Sequence, residues 1–319
     1  MKFSITIPAY KSRYLREAIE SVLKQSYSNF ELIIVDDHSP EDLKKIVDSY
    51  SDKRLFYYRN EKNCGSKHVV DNWNICLSKC NADYVICMGD DDRLMPNCLD
   101  EYRIMIEKYP DFNVYHAKAQ LIDENSEVIA TQESRPEFET AYEMLYNLWT
   151  YKRQQFIGDF CYNISWLRAN KGYVNFPYAY SSDWVTAFLA ANGKGIINGQ
   201  KFMFQYRVSS YTISVSGNKE GKIQATYQVW QWYKLYIKPD DLENIYYPLL
   251  VRMLDKHFRK SIATQAASDL FVSKWRMPFR FVYWIKNAKN FDVSTTYMTK
   301  ILCKYIVNYI SRIPFPERV

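Results

Sequence analysis

ADYVICMGDDDRLMP, residues 82–96, decides how this chain is read. An apolar run, Tyr84 to Met88, ends in Gly89, and three carboxylates follow without a break: Asp90, Asp91 and Asp92. At an effective dielectric near 20, two unit charges about 6 Å apart repel by roughly 3 kcal/mol. On an extended chain Asp90 and Asp92 point the same way, about 7 Å apart, and Asp91 points to the other side. Capping of the helix opened by Pro96 and Asn97 accounts for one of the acids, because a cap uses a single acceptor. A hard divalent cation, Mg²⁺ or Mn²⁺, relieves the rest of the repulsion; it keeps several waters and takes its remaining ligands from a diphosphate.

Working outward, the N-terminal third alternates strand and helix. Phe3 to Ile7 is β-prone, Leu15, Ile19, Val22 and Leu23 recur at helical spacing, and FELIIVDD is the continuous apolar run of a buried parallel strand. Ser39, with Pro40, Glu41 and Asp42 behind it, reads as a capped helix start. LFYYRN, VVDNWNICLSK and ADYVICMG continue as strand, helix and strand. Such alternation implies parallel βαβ units with right-handed crossovers, whose ligands sit at the carboxyl ends of the strands. Those ends are Pro8-Ala9-Tyr10, Asp36-Asp37, Arg59-Asn60 and Gly89 to Asp92. Two of them are acidic, which suits a cation that in turn binds phosphates. No G-x-G-x-x-G follows the first strand, which argues against a dinucleotide oxidoreductase. A P-loop is missing as well, and so is the Gly-rich basic loop of a sugar nucleotidyltransferase.

In order and spacing, ITIPAYKSRYLREAIESVLKQSYSNFELIIVDDHS, the N-x-G of Asn63 to Gly65 and ADYVICMGDDDRLMP resemble family 2 glycosyltransferases. The resemblance implies an α/β fold of the GT-A type: a mostly parallel central sheet flanked by helices, with a helical C-terminal appendage. It implies an inverting transfer from a UDP-sugar donor to a saccharide or lipid-linked saccharide acceptor, in cell-surface polysaccharide synthesis. Pro8, Ala9 and Tyr10 then line the uridine pocket, and Asp37 accepts from uracil or ribose, whereas Asp36 is structural. Asp90, Asp91 and Asp92 stand at the family's metal motif, with Asp92 the first choice of ligand. Lys67 stands in for a basic residue near the nucleotide. Ser182-Asp183 occupies the place of the family's catalytic base, ahead of a helix from Trp184 to Ala191. FQYRVSSYTIS matches the segment that closes over the diphosphate, with Arg207 at its basic position. Asp159 and Trp184 are weaker candidates for acceptor contact. Gly89, Val70 and Ser209 depart from the family pattern and keep a non-catalytic sugar-binding protein as the alternative.

On this reading residues 1–216 form the transferase domain, with a nucleotide half (1–100) and an acceptor half (101–216), and 217–319 a helical, basic, aromatic-rich region. From Arg252 onward there are 13 Lys and Arg against 4 Asp and Glu, so the basic character lies in the tail. Its interleaved aromatics and cations suit either an anionic membrane surface or a packed appendage with a solvated basic face. No recognition motif supports nucleic acid. No signal peptide or apolar run near ~20 residues is visible, and the 7 Cys are odd in number and scattered, as reduced thiols are. The expectation is a cytoplasmic protein. Cys76 and Cys80 share a helix face without further ligands nearby and read as buried apolar residues.

Overall fold

Phe30–Asp36 (β2) is buried at every position, as a strand covered on both faces must be. A computed structural model describes residues 1–209, 218–239, 245–271 and 274–310. In it β1 (Phe3–Ala9) pairs in parallel with β2 on one side and with β4 (Tyr84–Cys87) on the other, while β3 (Leu55–Arg59) extends the sheet beyond β2. The crossovers carry α1 (Leu15–Leu23), α2 (Leu43–Val47) and α3 (Val69–Lys79). Asp42, rather than Ser39, caps α2, accepting from the Lys45 N–H at 3.1 Å. Ser39 instead donates its hydroxyl to the Tyr10 carbonyl at 2.6 Å, which ties the ends of β1 and β2 together.

The second half adds β5 (Arg93–Leu94), α4 (Cys98–Lys108), β6 (Val114–Ile122), β7 (Val128–Thr131), β8 (Phe138–Glu139), α5 (Ala141–Trp149), β9 (Phe160–Asn163), α6 (Ile164–Ala169), α7 (Ser182–Ala191) and β10 (Ile196–Arg207). The sheet order is β3-β2-β1-β4-β9-β6-β10-β5, with β7 on β6 and β8 on β10. The long pairings, including β6 with β10, are parallel, and the antiparallel ones are short. This places the ends of β1, β2, β3 and β4 along one edge. Beneath that edge Ile5, Ile34, Ile86, Leu99, Tyr102 and Phe204 lie in one hydrophobic core.

The chain divides into two compact units, Met1–Ser216 with Pro239–Tyr247, and Gly217–Lys238 with Pro248–Val319. The second unit contains α8 (Lys219–Tyr236), most of α9 (Tyr246–Leu270), α10 (Met277–Asn287) and α11 (Thr295–Ile310). Two of its tryptophans pack with their N–H groups satisfied. Trp230 lies parallel to Phe258 and donates to Asp255 at 3.1 Å, and Trp284 is fully buried and donates to Asp269 at 2.9 Å.

Gly158 shows how tightly the sheet is covered near the site, since a Cβ there would stand 2.2 Å from Phe204 Cζ, and Phe204 is fully buried. Overpacking of this kind costs about 1–3 kcal/mol. Gly158→Ala is therefore expected to lower the melting temperature by several degrees in calorimetry; an unchanged melting temperature would contradict this packing.

Candidate active site

The three consecutive acids are separated by what holds each of them. Asp90 turns toward β1, where its Oδ2 accepts the Tyr10 and Lys11 N–H groups, each at 2.7 Å. Asp92 is almost wholly buried and turns the other way; its Oδ1 accepts the Arg207 N–H at 2.9 Å and its Oδ2 the Gly89 N–H at 3.2 Å. Burial and the charge of Asp91 push Asp92 well above the ordinary carboxylate range, and the same two causes push Asp90 up to about 6. Asp91, also raised by burial, is drawn back by the charge of Lys11. A Cβ on Gly89 would lie 2.8 Å from Asp91 Oδ1 and 2.9 Å from Asp92 Oδ2, so these two oxygens converge on one point that glycine leaves open.

That donor set fits a hard divalent cation: two converging carboxylate oxygens that repel without one. Among the described residues no group of three or more His, Cys, Asp or Glu is gathered around a cation position, so the pair would supply only part of a coordination shell. Asp90, the third acid of the expected set, is directed to backbone N–H groups instead.

Pro8, Ala9 and Tyr10 lie at the end of β1, with Tyr10 42% exposed. Asp37, next to it, accepts on Oδ1 from Asn60 Nδ2 and the Cys64 N–H, both at 2.9 Å, while Asn63 Nδ2 donates to its carbonyl at 2.8 Å. The loop through Asn63 to Gly65 is thereby folded onto Asp37. Asp36 is structural as expected, fully buried and engaged by Ser39, Tyr57 and Arg59. Lys67 is exposed in the single helical turn Ser66–His68, which packs against the turn Pro177–Ala179 leading to Asp183.

Asp183 sits inside the first turn of α7, not ahead of it. Burial pushes its carboxyl up to about 7, against the pull of the Trp184 and Asp183 N–H groups. Tyr178, Ala179 and Ser181, just before it, all have positive φ (62°, 53° and 59°). Each such non-glycine residue costs on the order of 1 kcal/mol or more, and strain of this kind concentrates at functional sites.

Two expected contacts are placed elsewhere. Arg207 is fully buried, and its guanidinium donates inward: Nε to the Asp91 carbonyl at 2.8 Å, Nη1 to the Asp123 carbonyl at 2.8 Å and Ser126 Oγ at 3.0 Å, and Nη2 to Glu17 Oε2 at 2.9 Å. It braces the acidic loop and does not face a diphosphate. Asp159 is likewise fully buried, so it lies behind the surface an acceptor would touch; its Oδ2 accepts from Gln132 Nε2 at 2.7 Å and the Phe156 N–H at 2.9 Å. Burial pushes Asp159 up to about 7, and the charge of Asp183 adds to it. Asp159 in turn raises Asp92, so it links the two acidic centres electrostatically. Trp184 is half-buried, with its indole N–H donating to the Gln155 carbonyl at 3.3 Å. The part of FQYRVSSYTIS beyond Ser209 lies outside the described residues.

The sequence reading passed over Lys11 and Glu17. Lys11 carried a signal, since it stands just past the end of β1. Glu17 carried none, because it meets Arg207 only through the fold.

The sequence model of Glycosyl transferase family 2 matches residues 4–163, half of the chain. The chain belongs to this family. An uncharacterized glycosyltransferase of Rickettsia typhi is 33% identical over 125 residues, 39% of this chain and 38% of its own length. The glycosyltransferase EpsE of Bacillus subtilis is 32% identical over 39% of this chain and 45% of its own. The colanic acid biosynthesis glycosyl transferase WcaA of Escherichia coli is 39% identical over 31% and 36%. The chain thus spans less than half the length of these curated relatives. A structure of S. aureus TarS 1–349 in complex with UDP-GlcNAc superposes with a TM-score of 0.69 at 17% identity, covering 98% of this chain and 92% of that one. At that identity the likeness establishes the GT-A fold.

A carboxyl with a pKa near 3.9 unfolded and about 7 folded, as at Asp159, is protonated only in the folded state between those values. The folded state is thus favoured at low pH, and the advantage is lost as pH rises through about 7. Asp159→Asn removes the charge while keeping an acceptor for Gln132 and Phe156. Its melting temperature is expected to exceed that of the wild type by several degrees at pH 8 and to match it near pH 4 (both buffer conditions); a variant less stable at pH 8 would contradict the burial cost.

Proposed function

We propose that this family member is an inverting glycosyltransferase that uses a UDP-sugar, a hexosyl or N-acetylhexosaminyl donor, and a saccharide or lipid-linked saccharide acceptor in cell-surface polysaccharide synthesis. The observation that carries this reading is Asp183: a half-buried carboxylate with its pKa brought to about 7, joined through Asp159 to the acidic pair at the end of β4. A base poised near the working pH is the most effective one. The likeness to a protein solved with UDP-GlcNAc supports the donor class, and the likeness to WcaA, a colanic acid biosynthesis glycosyl transferase, supports the acceptor class.

In the proposed reaction the acceptor hydroxyl oxygen attacks the anomeric carbon, and its proton passes to Asp183. The bond from that carbon to the diphosphate oxygen breaks, and UDP departs with the electron pair. Asp37 and the Tyr10 loop hold the nucleoside, and Lys67 and Lys11 offer positive charge near the phosphates. Asp91 and Asp92 would hold a divalent cation, Mn²⁺ or Mg²⁺, and its charge would neutralise the leaving diphosphate. The strained turn before Asp183 fixes the direction of its carboxylate.

The test is UDP release from a panel of UDP-sugars, measured with Mn²⁺ and with EDTA. Release from one donor that requires the metal is the expected result. Absence of release from every donor, with UDP still bound, would favour the sugar-binding alternative.

We also propose that the helical unit rests on an anionic membrane surface. Among the described residues no helix is long and apolar enough to cross a membrane. Trp275 is 92% and Phe279 78% exposed, with Arg276 and Lys286 exposed on the same unit. Aromatic and basic side chains together suit the headgroup layer. Co-sedimentation with phosphatidylglycerol vesicles at low salt is expected to fall at least fivefold when Trp275 and Phe279 are both changed to Ser; unchanged partition would remove the membrane role.

A further inference from the structure

The short chain between α6 and α7 is held by polar side chains from two helices. On one side Asn74 of α3 clamps the Tyr173 backbone at both groups: its Oδ1 accepts the Tyr173 N–H at 2.8 Å, and its Nδ2 donates to the Tyr173 carbonyl at 3.2 Å. Gly172 makes room for that amide, since it has a φ of 82° and a Cβ there would stand 2.2 Å from Asn74 Oδ1. On the other side α7 supplies two hydroxyls. Thr186 Oγ1 accepts the Val174 N–H and Ser182 Oγ the Phe176 N–H, both at 3.0 Å. Tyr173, Ser182 and Thr186 are almost wholly buried, where water cannot take the place of a lost partner. Residues 172–176 are thus a strap between α3 and α7, and Asn175 adds a hydrogen bond from its amide to Asp71 on α3.

Each end of the strap leads to a part of the site. Beyond Phe176 it runs into the turn where Tyr178, Ala179 and Ser181 hold positive φ, and then into Asp183 in the first turn of α7. A non-glycine residue keeps such a conformation only where its surroundings determine it. The strap anchors that turn on its N-terminal side, and the bond from the Phe176 N–H to Ser182 Oγ closes it across the base. At the other end, α3 is tied to the proposed nucleoside contact. Asn60 Nδ2 donates both to Asp37 Oδ1 at 2.9 Å and to Asn72 Oδ1 in the first turn of α3 at 3.1 Å. The turn Ser66–His68 runs straight into α3 and also packs against Pro177–Ala179. Asp37 and Asp183 are therefore joined by one continuous run of hydrogen bonds and short rigid segments: Asn60, Asn72, α3, Asn74 and the strap.

We infer that Asn74 is a positioning residue for Asp183 that carries nucleotide occupancy to it: a nucleotide seated at Asp37 holds Asn60 and α3, and α3, through Asn74, holds the strained turn that aims the Asp183 carboxyl. Asn74 touches no reacting atom; it acts through Tyr173 and the strap. Coupling between sites travels through hydrogen-bonded networks and rigid elements of this kind. A residue that orients a catalytic group without touching the substrate changes turnover and leaves substrate binding alone. The identity of Asp183 as the base and of the ligand as a nucleotide rests on the transferase reading; the strap and its clamp do not.

The test follows amide hydrogen exchange by mass spectrometry on the full chain with Mn²⁺, with and without saturating UDP. In wild type UDP is expected to slow exchange over residues 177–184 at least threefold. Asn74→Ala is expected to bind UDP within threefold of the wild-type affinity and to lose that protection. Thr186→Val, which cuts the strap from the α7 side, is expected to lose it as well, whereas Thr186→Ser, which keeps the hydroxyl, retains it. With a UDP-sugar that releases UDP in the donor panel, Asn74→Ala is expected to lower kcat at least tenfold and to leave the donor KM within threefold, a split that a purely structural role does not produce. Exchange over 177–184 that ignores bound UDP in wild type, protection that survives in Asn74→Ala, or an unchanged kcat overturns the inference. A chain that binds no UDP removes the nucleotide reading and the inference with it. A chain that binds UDP and shows the clamp-dependent protection, yet releases UDP from no donor, supports the inference and removes only the transfer reading.

Discussion

Arg207 holds the acidic loop in place. Its N–H reaches Asp92, its Nε reaches the Asp91 carbonyl, and its two terminal nitrogens reach the β6–β7 turn and Glu17 on α1. The guanidinium also lies 4.0 Å from the centroid of the Tyr14 ring, a cation–π contact worth about 0.5–2 kcal/mol. A cation buried this completely is tolerated only because all these acceptors surround it. The last strand of the sheet is thereby fastened to the loop after β4 and to the first helix, and three adjacent carboxylates can be aimed in different directions.

The crowding of Asp90, Asp91 and Asp92 is thus resolved in two stages. Backbone N–H groups take up Asp90 on one side and Asp92 on the other, and Gly89 leaves room for Asp91 and Asp92 to converge. What remains is a raised, mutually repelling pair at the ligand edge of a parallel sheet, which is the electrostatic condition for a divalent cation. Across the site, burial alone brings Asp183 to about 7. The same desolvation that makes these carboxylates costly to the fold makes them useful to chemistry.

Much of this was legible in the sequence, for local reasons. The runs Phe30–Asp36 and Tyr84–Cys87 announce buried strands, and the acids beyond them mark the ligand edge. Asp183 was located only through the family resemblance, since its position alone reads equally as an acid at a helix start, and the helix begins one residue earlier than the acid. Arg207 was misread as a phosphate ligand because its partners, Glu17, Asp91, Asp123 and Ser126, are far away in sequence and leave no periodic trace. Asp159 was read as an acceptor contact for the same reason, since the turn that holds it is packed against β4, β6 and β10. The clamp of Asn74 on the Tyr173 backbone had no signal at all, because the two are far apart in sequence and meet only through the fold. Ser39 and Asp42 both look like caps, and only the geometry of the β1–β2 edge decides between them.

The central claim, that Asp183 takes the acceptor proton, is tested most directly by the pH dependence of turnover in wild type and Asp183→Asn. The account predicts a wild-type rate that rises with pH through an apparent pKa of about 7, set by desolvation of that carboxyl, and a variant slowed by about 10² to 10⁴-fold whose residual rate lacks that limb while UDP binding persists. A folded Asp183→Asn protein that turns over at the wild-type rate with the same pH profile would contradict it.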